Sequence, residues 1–253
     1  MDIQFKIKKI GKSSILYDED ILTDPSLQLF DADYHTNLES QQSESSQYKD
    51  KVSPGGIGRA RVIYFSYGDK TLVLKHYFRG GLVSSFLKDQ YFGFNLEKTR
   101  AFREWCLLKT MLKLGLPVPD AIAAHAEQHL FFYRADLITQ KIDDTKTLAD
   151  VLIEKEIDSD QWRKIASCIK KFHDNNIYHA DLNARNILLT GTGEVYLIDF
   201  DNSDFRVGSN SWKMGNLTRL KRSLLKFKKN ESCFNFSEDN WLSFLEGYDQ
   251  AIS

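Results

Sequence analysis

Cysteine is scarce in this chain, with only three such residues in a sequence of 253. Cys106, Cys168 and Cys233 are odd in number and widely spaced. That arrangement predicts neither a disulfide framework nor a cysteine-rich metal site. A reducing compartment such as the cytoplasm is therefore the expected location of this protein.

Long apolar runs are also absent, since no stretch approaches the roughly 20 apolar residues that span a bilayer as a helix. The first residues carry charges throughout and lack the apolar segment of a signal peptide. We therefore expect any contact with a membrane to be peripheral. Neither sign of charge dominates, with 34 basic and 35 acidic residues, so nothing in the composition indicates nucleic-acid binding.

What the sequence does contain is a distinctive stretch between residues 177 and 201. The apolar runs 187–189 and 195–198 are separated by a short polar turn with two glycines, a pattern that predicts a β-hairpin. Asn186 precedes the first strand and Asp199 follows the second. Because a hairpin holds its two open ends close together, we expect these two side chains to lie side by side.

An amide oxygen beside a carboxylate suits Mg²⁺, so Asn186 and Asp199 are candidate metal ligands. Asp181 lies on the loop before the hairpin, where its carboxylate can accept a proton from a hydroxyl. The combination H-x-D-x-x-x-x-N followed by D-F-x is typical of phosphoryl-transfer sites. His179 is expected to brace the loop, and a polar loop beside an ordinary hairpin is the structural alternative.

A second group of candidates begins with a glycine-rich turn, whose backbone N–H groups can cover phosphates. The glycines of this turn are Gly55, Gly56 and Gly58. Two strands are predicted after it, and the second ends at Lys75, whose ammonium group suits nucleotide phosphates. A lysine that simply reaches solvent is the alternative for Lys75.

Glu104 lies beside the apolar stripe of a helix predicted from about Lys98 to Leu114. A carboxylate in that position needs a partner, because burying it alone is expensive. We predict that it pairs with Lys75. A solvent-exposed Glu104 is the alternative, and Glu97 is the competing carboxylate.

The order of predicted elements indicates an α+β fold with two lobes. Residues 1–138 are predicted as a lobe with an antiparallel sheet and one helix, and 139–253 as a mostly helical lobe that carries the hairpin. A mobile segment is expected at about 37–51, which is rich in Ser, Gln and charge. Residues 139–146 are predicted as an extended hinge. Further helices are predicted from Thr147, over 159–175 and over 234–252.

Several segments, in order between about residues 55 and 230, resemble the bacterial 3-deoxy-D-manno-octulosonic acid (Kdo) kinases. These enzymes form part of the lipopolysaccharide kinase group and have a protein-kinase-like fold. The segments that carry the resemblance are 75–83, 100–105, 179–188, 198–201 and 212–224.

The resemblance implies a kinase that transfers phosphate from ATP, with Mg²⁺, to the 4-hydroxyl of Kdo linked to lipid A precursor. It implies Asp181 as the catalytic residue, and Arg185 as a residue that either approaches an anionic group or forms a structural salt bridge. Asp201 replaces the glycine of D-F-G and no A-P-E follows, which argues against a protein substrate. A related core heptose kinase, a small-molecule phosphotransferase and an inactive nucleotide-binding scaffold are the alternatives.

A basic stretch between residues 205 and 230 contains eight Lys and Arg residues and no Asp or Glu. Leu217, Leu220, Leu224 and Phe227 recur in it at helical spacing. A basic amphipathic helix can bind an anionic membrane surface, so we expect a peripheral protein on the cytoplasmic face of the inner membrane. A packed helix with a solvated basic face is the alternative.

Overall fold

The computed structural model describes residues 4–35, 61–77, 91–92, 95–129, 132–208 and 210–250. The predicted mobile segment at 37–51 and the glycines Gly55, Gly56 and Gly58 lie outside these residues. The chain forms two compact units, one of Met1–Thr110 with Asp120–Lys141 and one of Met111–Pro119 with Ile142–Ser253. The predicted α+β class is confirmed, because strands dominate the first unit and helices the second.

The first unit is built on an antiparallel sheet. Its described strands are β1 (Lys6–Ile10), β2 (Ser13–Tyr17), β3 (Arg61–Tyr67), β4 (Lys70–His76), β5 (Tyr91–Phe92), β6 (Ala121–His129) and β7 (Phe132–Gln140). They run in the order β1-β2-β6-β7-β4-β3, with β5 paired to β7. Apolar side chains from β2, β3, β4, β6 and β7 form one core with Leu29 and Phe30.

Helix α1 (Arg100–Lys113) begins two residues later than predicted. A 3-10 helix, Leu96–Lys98, precedes it and is capped by Asn95, whose side chain accepts a hydrogen bond from the Glu97 backbone N–H. The helix ends at Lys113, one residue before the predicted end at Leu114, and Gly115 follows with a φ of +71°. Glycine adopts this left-handed conformation readily, which allows the chain to turn there.

The second unit contains the helices α2 (Leu148–Glu154), α3 (Ser159–Asp174), α4 (Ser211–Asn230) and α5 (Glu238–Gln250). Thr147 and Asp158 cap α2 and α3 by accepting hydrogen bonds from backbone N–H groups. Gly247 of α5 lies directly on α3, where an added Cβ would come within 2.5 Å of the Arg163 Cα. Short strands complete the unit: β8 (Thr145–Thr147), β9 (Ile177–Tyr178), β10 (Ile187–Thr190), β11 (Val195–Leu197) and β12 (Asp204–Phe205).

Two predicted elements differ from the structure. The extended hinge at 139–146 is wrong in part, because β7 continues to Gln140 and β8 pairs with β10 of the hairpin. The last helix does not begin at Phe234 but at Glu238. Ser237 ends the preceding loop, since its hydroxyl accepts from the Asn240 N–H while its own N–H donates to the Asn240 side chain.

The structure also bears on two predicted absences. All three cysteines are free thiols, as the lack of a disulfide framework predicts. Among the described residues, no helix combines the length and the apolar character needed to cross a membrane.

Candidate active site

The predicted ion pair between Lys75 and Glu104 is present in the first unit. The Lys75 Nζ lies 3.1 and 3.0 Å from the two carboxylate oxygens of Glu104. The Glu104 side chain is only 4% exposed, so its charge needs this compensation. Lys75 lies near the end of β4, and Glu104 lies on the buried face of α1. Their ion pair therefore links the sheet to the helix.

Tyr77 is a third member of this cluster that the sequence did not single out. Its hydroxyl donates a hydrogen bond of 2.6 Å to Glu104 Oε2, and the ammonium group of Lys75 lies 4.8 Å from the centre of its ring. The guanidinium group of Arg100 lies 5.4 Å from the same ring. Tyr77 therefore orients the carboxylate that in turn orients Lys75.

In the second unit, the loop before β10 is anchored by His179. The imidazole Nε2 lies 3.0 Å from the Ile198 carbonyl oxygen, and Nδ1 accepts a 3.1 Å hydrogen bond from the Asp181 backbone N–H. Because a carbonyl only accepts and an N–H only donates, the ring must be neutral with its proton on Nε2. This agrees with the prediction that His179 braces the loop.

The hairpin brings Asn186 and Asp199 to one end, as predicted. Strand β10 pairs with β11 in the register Ile187 to Leu197, and the Ile198 N–H donates to the Asn186 carbonyl at 3.0 Å. Asp199 is the next residue after Ile198, so the two predicted metal ligands lie at the same end of the hairpin. Asp199 has a φ of +63°, an unusual backbone conformation that is found preferentially at functional sites.

Asp181 and Asn186 are in direct contact. The Asn186 Nδ2 donates a 2.9 Å hydrogen bond to the Asp181 carbonyl oxygen, which leaves the amide oxygen as the atom that can bind a cation. The Asp181 carboxylate lies outside this contact and is 59% exposed. One of its oxygens accepts from Asn183 at 3.1 Å, and the other lies 3.6 Å from Arg219 Nη1.

Helix α4 holds this loop through residues that sequence reasoning missed. Buried Asn216 donates to the His179 carbonyl at 2.9 Å and accepts from the His179 N–H at 3.3 Å. The Ser223 hydroxyl accepts from the Ala184 N–H at 3.2 Å. The available signal was that Asn216 precedes Leu220 and Leu224 at four-residue spacing, which puts a neutral amide on the apolar side of the helix, where it needs partners.

The same Asn216 oxygen lies 3.3 Å from the Nε2 of His173, whose Nδ1 lies 2.7 Å from the Tyr248 hydroxyl. Burial lowers the pKa of His173 from its usual 6.5 to about 4. His173 is therefore neutral in the folded protein at neutral pH, where it links α3, α4 and α5.

This shifted pKa predicts acid sensitivity. Below pH 6.5 the unfolded chain takes up a proton at residue 173, whereas the folded protein keeps His173 neutral until about pH 4. The free energy of unfolding should therefore decrease as the pH is lowered from 6.5 to 4, by up to roughly 3 kcal/mol. Urea unfolding at several pH values measures it, and a His173→Phe variant should show a shallower dependence. An equal slope in both proteins would exclude His173 as the source.

The donor set of the hairpin end fits Mg²⁺. The described residues hold no group of three or more His, Cys, Asp or Glu side chains arranged for a metal ion. The end of the hairpin instead offers two groups, the amide oxygen of Asn186 and the carboxylate of Asp199. Such a set is typical of Mg²⁺, which keeps several waters and binds through substrate phosphates.

Comparison with known proteins places these features in context. Residues 47–248 match the model of the lipopolysaccharide kinase (Kdo/WaaP) family. The chain is 44% identical to a 3-deoxy-D-manno-octulosonic acid kinase from Mannheimia succiniciproducens over 69% of this chain and 74% of the relative. It is 33% identical to the protein of that name from Vibrio vulnificus over 96% and 97%. A Haemophilus influenzae protein of the same name is 36% identical over 87% and 94%.

Proposed function

On the premise that this chain belongs to the lipopolysaccharide kinase (Kdo/WaaP) family, and is therefore a kinase with the two-lobed protein-kinase-like fold, we propose its reaction and acceptor. The protein transfers the terminal phosphate of ATP to the 4-hydroxyl of Kdo linked to a lipid A precursor. The relatives named 3-deoxy-D-manno-octulosonic acid kinase support this choice of sugar.

One observation carries the proposal of phosphoryl transfer. At the end of the hairpin, the Asn186 side chain contacts the Asp181 backbone, and the Asn186 carbonyl accepts from Ile198, the residue before Asp199. Two residues with carboxylates and one with an amide are therefore close together along the backbone there. The side chains of His179 and Asn216 hold the backbone of this loop, independently of the two carboxylate charges of Asp181 and Asp199. A loop with only a structural role would not need an exposed carboxylate at Asp181.

In the proposed reaction, Asp181 orients the sugar hydroxyl and accepts its proton as the oxygen attacks the terminal phosphorus. The bond from that phosphorus to the bridging oxygen breaks, and ADP leaves. Lys75, oriented by Glu104 and Tyr77, binds the nucleotide phosphates. Asn186 and Asp199 would hold Mg²⁺, and the bound ion would neutralise phosphate charge. The backbone N–H groups of Gly55, Gly56 and Gly58 are proposed to cover the phosphates.

A direct assay separates this proposal from the related heptose kinase. The protein is incubated with radiolabelled ATP, Mg²⁺ and either a Kdo-linked lipid A precursor or a heptose-bearing core acceptor. We expect label on the first acceptor at a rate far above that on the second. Label on the heptose alone would overturn the acceptor, and label on neither would reject sugar phosphorylation altogether.

The acceptor is a lipid, and α4 suggests how the protein reaches it. Arg222, Lys226 and Lys229 lie on one face of this helix at i, i+4 and i+7 spacing, together with Leu225, which is 44% exposed. Lys221 lies 2.8 Å from Glu238, so its charge is partly compensated and it is left out of this face. We propose that this basic face binds an anionic membrane peripherally, on the cytoplasmic side.

Replacing the face residues Arg222, Lys226 and Lys229 and the adjacent Lys228 with Gln should weaken binding to anionic vesicles roughly 100-fold or more, since each basic residue contributes about 1 kcal/mol near the surface. Vesicle sedimentation at two salt concentrations measures this effect. The matched control replaces four exposed lysines elsewhere in the chain, Lys113, Lys155, Lys164 and Lys171. Equal binding by the two variants would reject the membrane face.

A further inference from the structure

Arg219 is the positively charged residue that lies against the Asp181 carboxylate. Its Nη1 lies 3.6 Å from Asp181 Oδ1, and the two side chains are 49% and 59% exposed. An ion pair this exposed and this long contributes little to stability, typically about 0–1 kcal/mol. The folding of the unit therefore gives no strong reason for an arginine at this position.

Two side chains on either side of Arg219 attach its helix to the loop. Asn216 binds the backbone of His179, and Ser223 binds the backbone of Ala184. Arg219 is three residues after Asn216 and four before Ser223, so all three lie on one side of α4. A side chain that projects from a helix fixed at two points is well placed to meet a ligand at the loop.

The other arginine at this loop is engaged elsewhere. For Arg185 the sequence left open an approach to an anionic group or a structural salt bridge. Its guanidinium group lies 5.2 Å from the centre of the Phe227 ring on α4, a cation–π distance. Its backbone N–H donates to Asn183 at 2.8 Å. This contact packs Arg185 against α4, whereas Arg219 is the arginine that lies beside the Asp181 carboxylate.

The chemistry of the acceptor gives Arg219 a task. A 3-deoxy-octulosonic acid carries a carboxylate, and its hydroxyl must approach the Asp181 carboxylate. Two carboxylates in one site repel each other unless a cation lies between them. A guanidinium group offers five N–H donors in a planar fork that matches carboxylate geometry, so one arginine can contact both groups.

We propose that Arg219 binds the carboxylate of the sugar-acid acceptor and holds it beside Asp181. This inference rests on the proposed function and adds the residue that distinguishes an acidic sugar from a neutral one. A neutral sugar such as a heptose would leave the guanidinium group without its second partner. Arg219 is thus a specificity-determining residue rather than a participant in proton transfer.

Calorimetric binding of two water-soluble probes tests the assignment without requiring turnover. The probes are the methyl glycoside of the sugar acid and the same glycoside with its carboxyl group converted to a methyl ester. Wild type should bind the acid at least about tenfold more tightly than the ester, because a hydrogen-bonded charged pair is lost in the ester. Arg219→Gln should bind both equally weakly, and Arg219→Lys should restore part of the preference.

The matched control is Arg163→Gln, which removes the same charge from the same unit at surface pairs with Asp160 and Glu246. It should keep the wild-type preference for the acid. Preference retained by Arg219→Gln, or equal or absent binding of both probes by wild type, would overturn the assignment. Arg219-dependent binding of the acid without phosphate transfer would support Arg219 and reject the proposed function, so the two failures are distinguishable.

Discussion

Replacing Asp181 with alanine is expected to slow phosphoryl transfer by roughly 100- to 10,000-fold, the range typical of a lost general base. The protein should stay folded, because the contacts of Asp181 with His179 and Asn186 are made by its backbone N–H and carbonyl oxygen. Those hydrogen bonds persist with any side chain. Initial rates with labelled ATP, alongside ATP affinity, measure the effect.

Two further variants sharpen the assignment. Asp181→Asn keeps the size of the side chain and one acceptor oxygen but cannot accept the proton, so it should be nearly as slow as the alanine variant. Asp160→Asn changes an exposed carboxylate of the same unit and should leave the rate unchanged. A rate close to wild type in Asp181→Asn would remove Asp181 from the role of base.

Replacing Lys75 with methionine is expected to slow transfer by roughly 100- to 1,000-fold, as when a preorganised electrostatic contact is removed. Glu104→Gln should have a smaller effect, because Glu104 acts on the phosphates only through Lys75. The two hydrogen bonds between Lys75 and Glu104 predict strong coupling between the variants.

The coupling is measured in a double-variant cycle of rates and ATP affinities. The double variant should be about as slow as Lys75→Met alone. Tyr77→Phe keeps the ring beneath Lys75 but deletes the hydroxyl contact with Glu104, so it should resemble a mild Glu104→Gln. Losses that multiply in the double variant would mean that the two residues act independently.

Local patterns made much of the second unit predictable. The hairpin follows from two apolar runs and a glycine-containing turn, and its register brings Asn186 and Asp199 together without any distant contact. The pairing of Lys75 with Glu104, in the first unit, could also be predicted from the sequence, because a carboxylate on an apolar helix face needs a cation. These inferences depend on short-range geometry and on the cost of burying charge.

The remaining features depend on tertiary packing that a local pattern does not contain. The strand β8 was missed because residues 145–147 look polar, and only their pairing with β10 makes them a strand. Asn216 and Arg219 come more than thirty residues after His179, and the sequence does not indicate which side of α4 faces the loop. Tyr77 was missed because its hydroxyl partner lies on α1 rather than nearby in the sequence.

The central claim is that this kinase phosphorylates the 4-hydroxyl of Kdo, and the position of the new phosphate tests it most directly. The product formed from ATP and a Kdo-linked lipid A precursor is isolated and studied by phosphorus–proton correlation NMR. A phosphorus signal coupled to the proton on carbon 4 of Kdo is the predicted result. Phosphate at another position of Kdo, or on another sugar of the acceptor, would contradict the account.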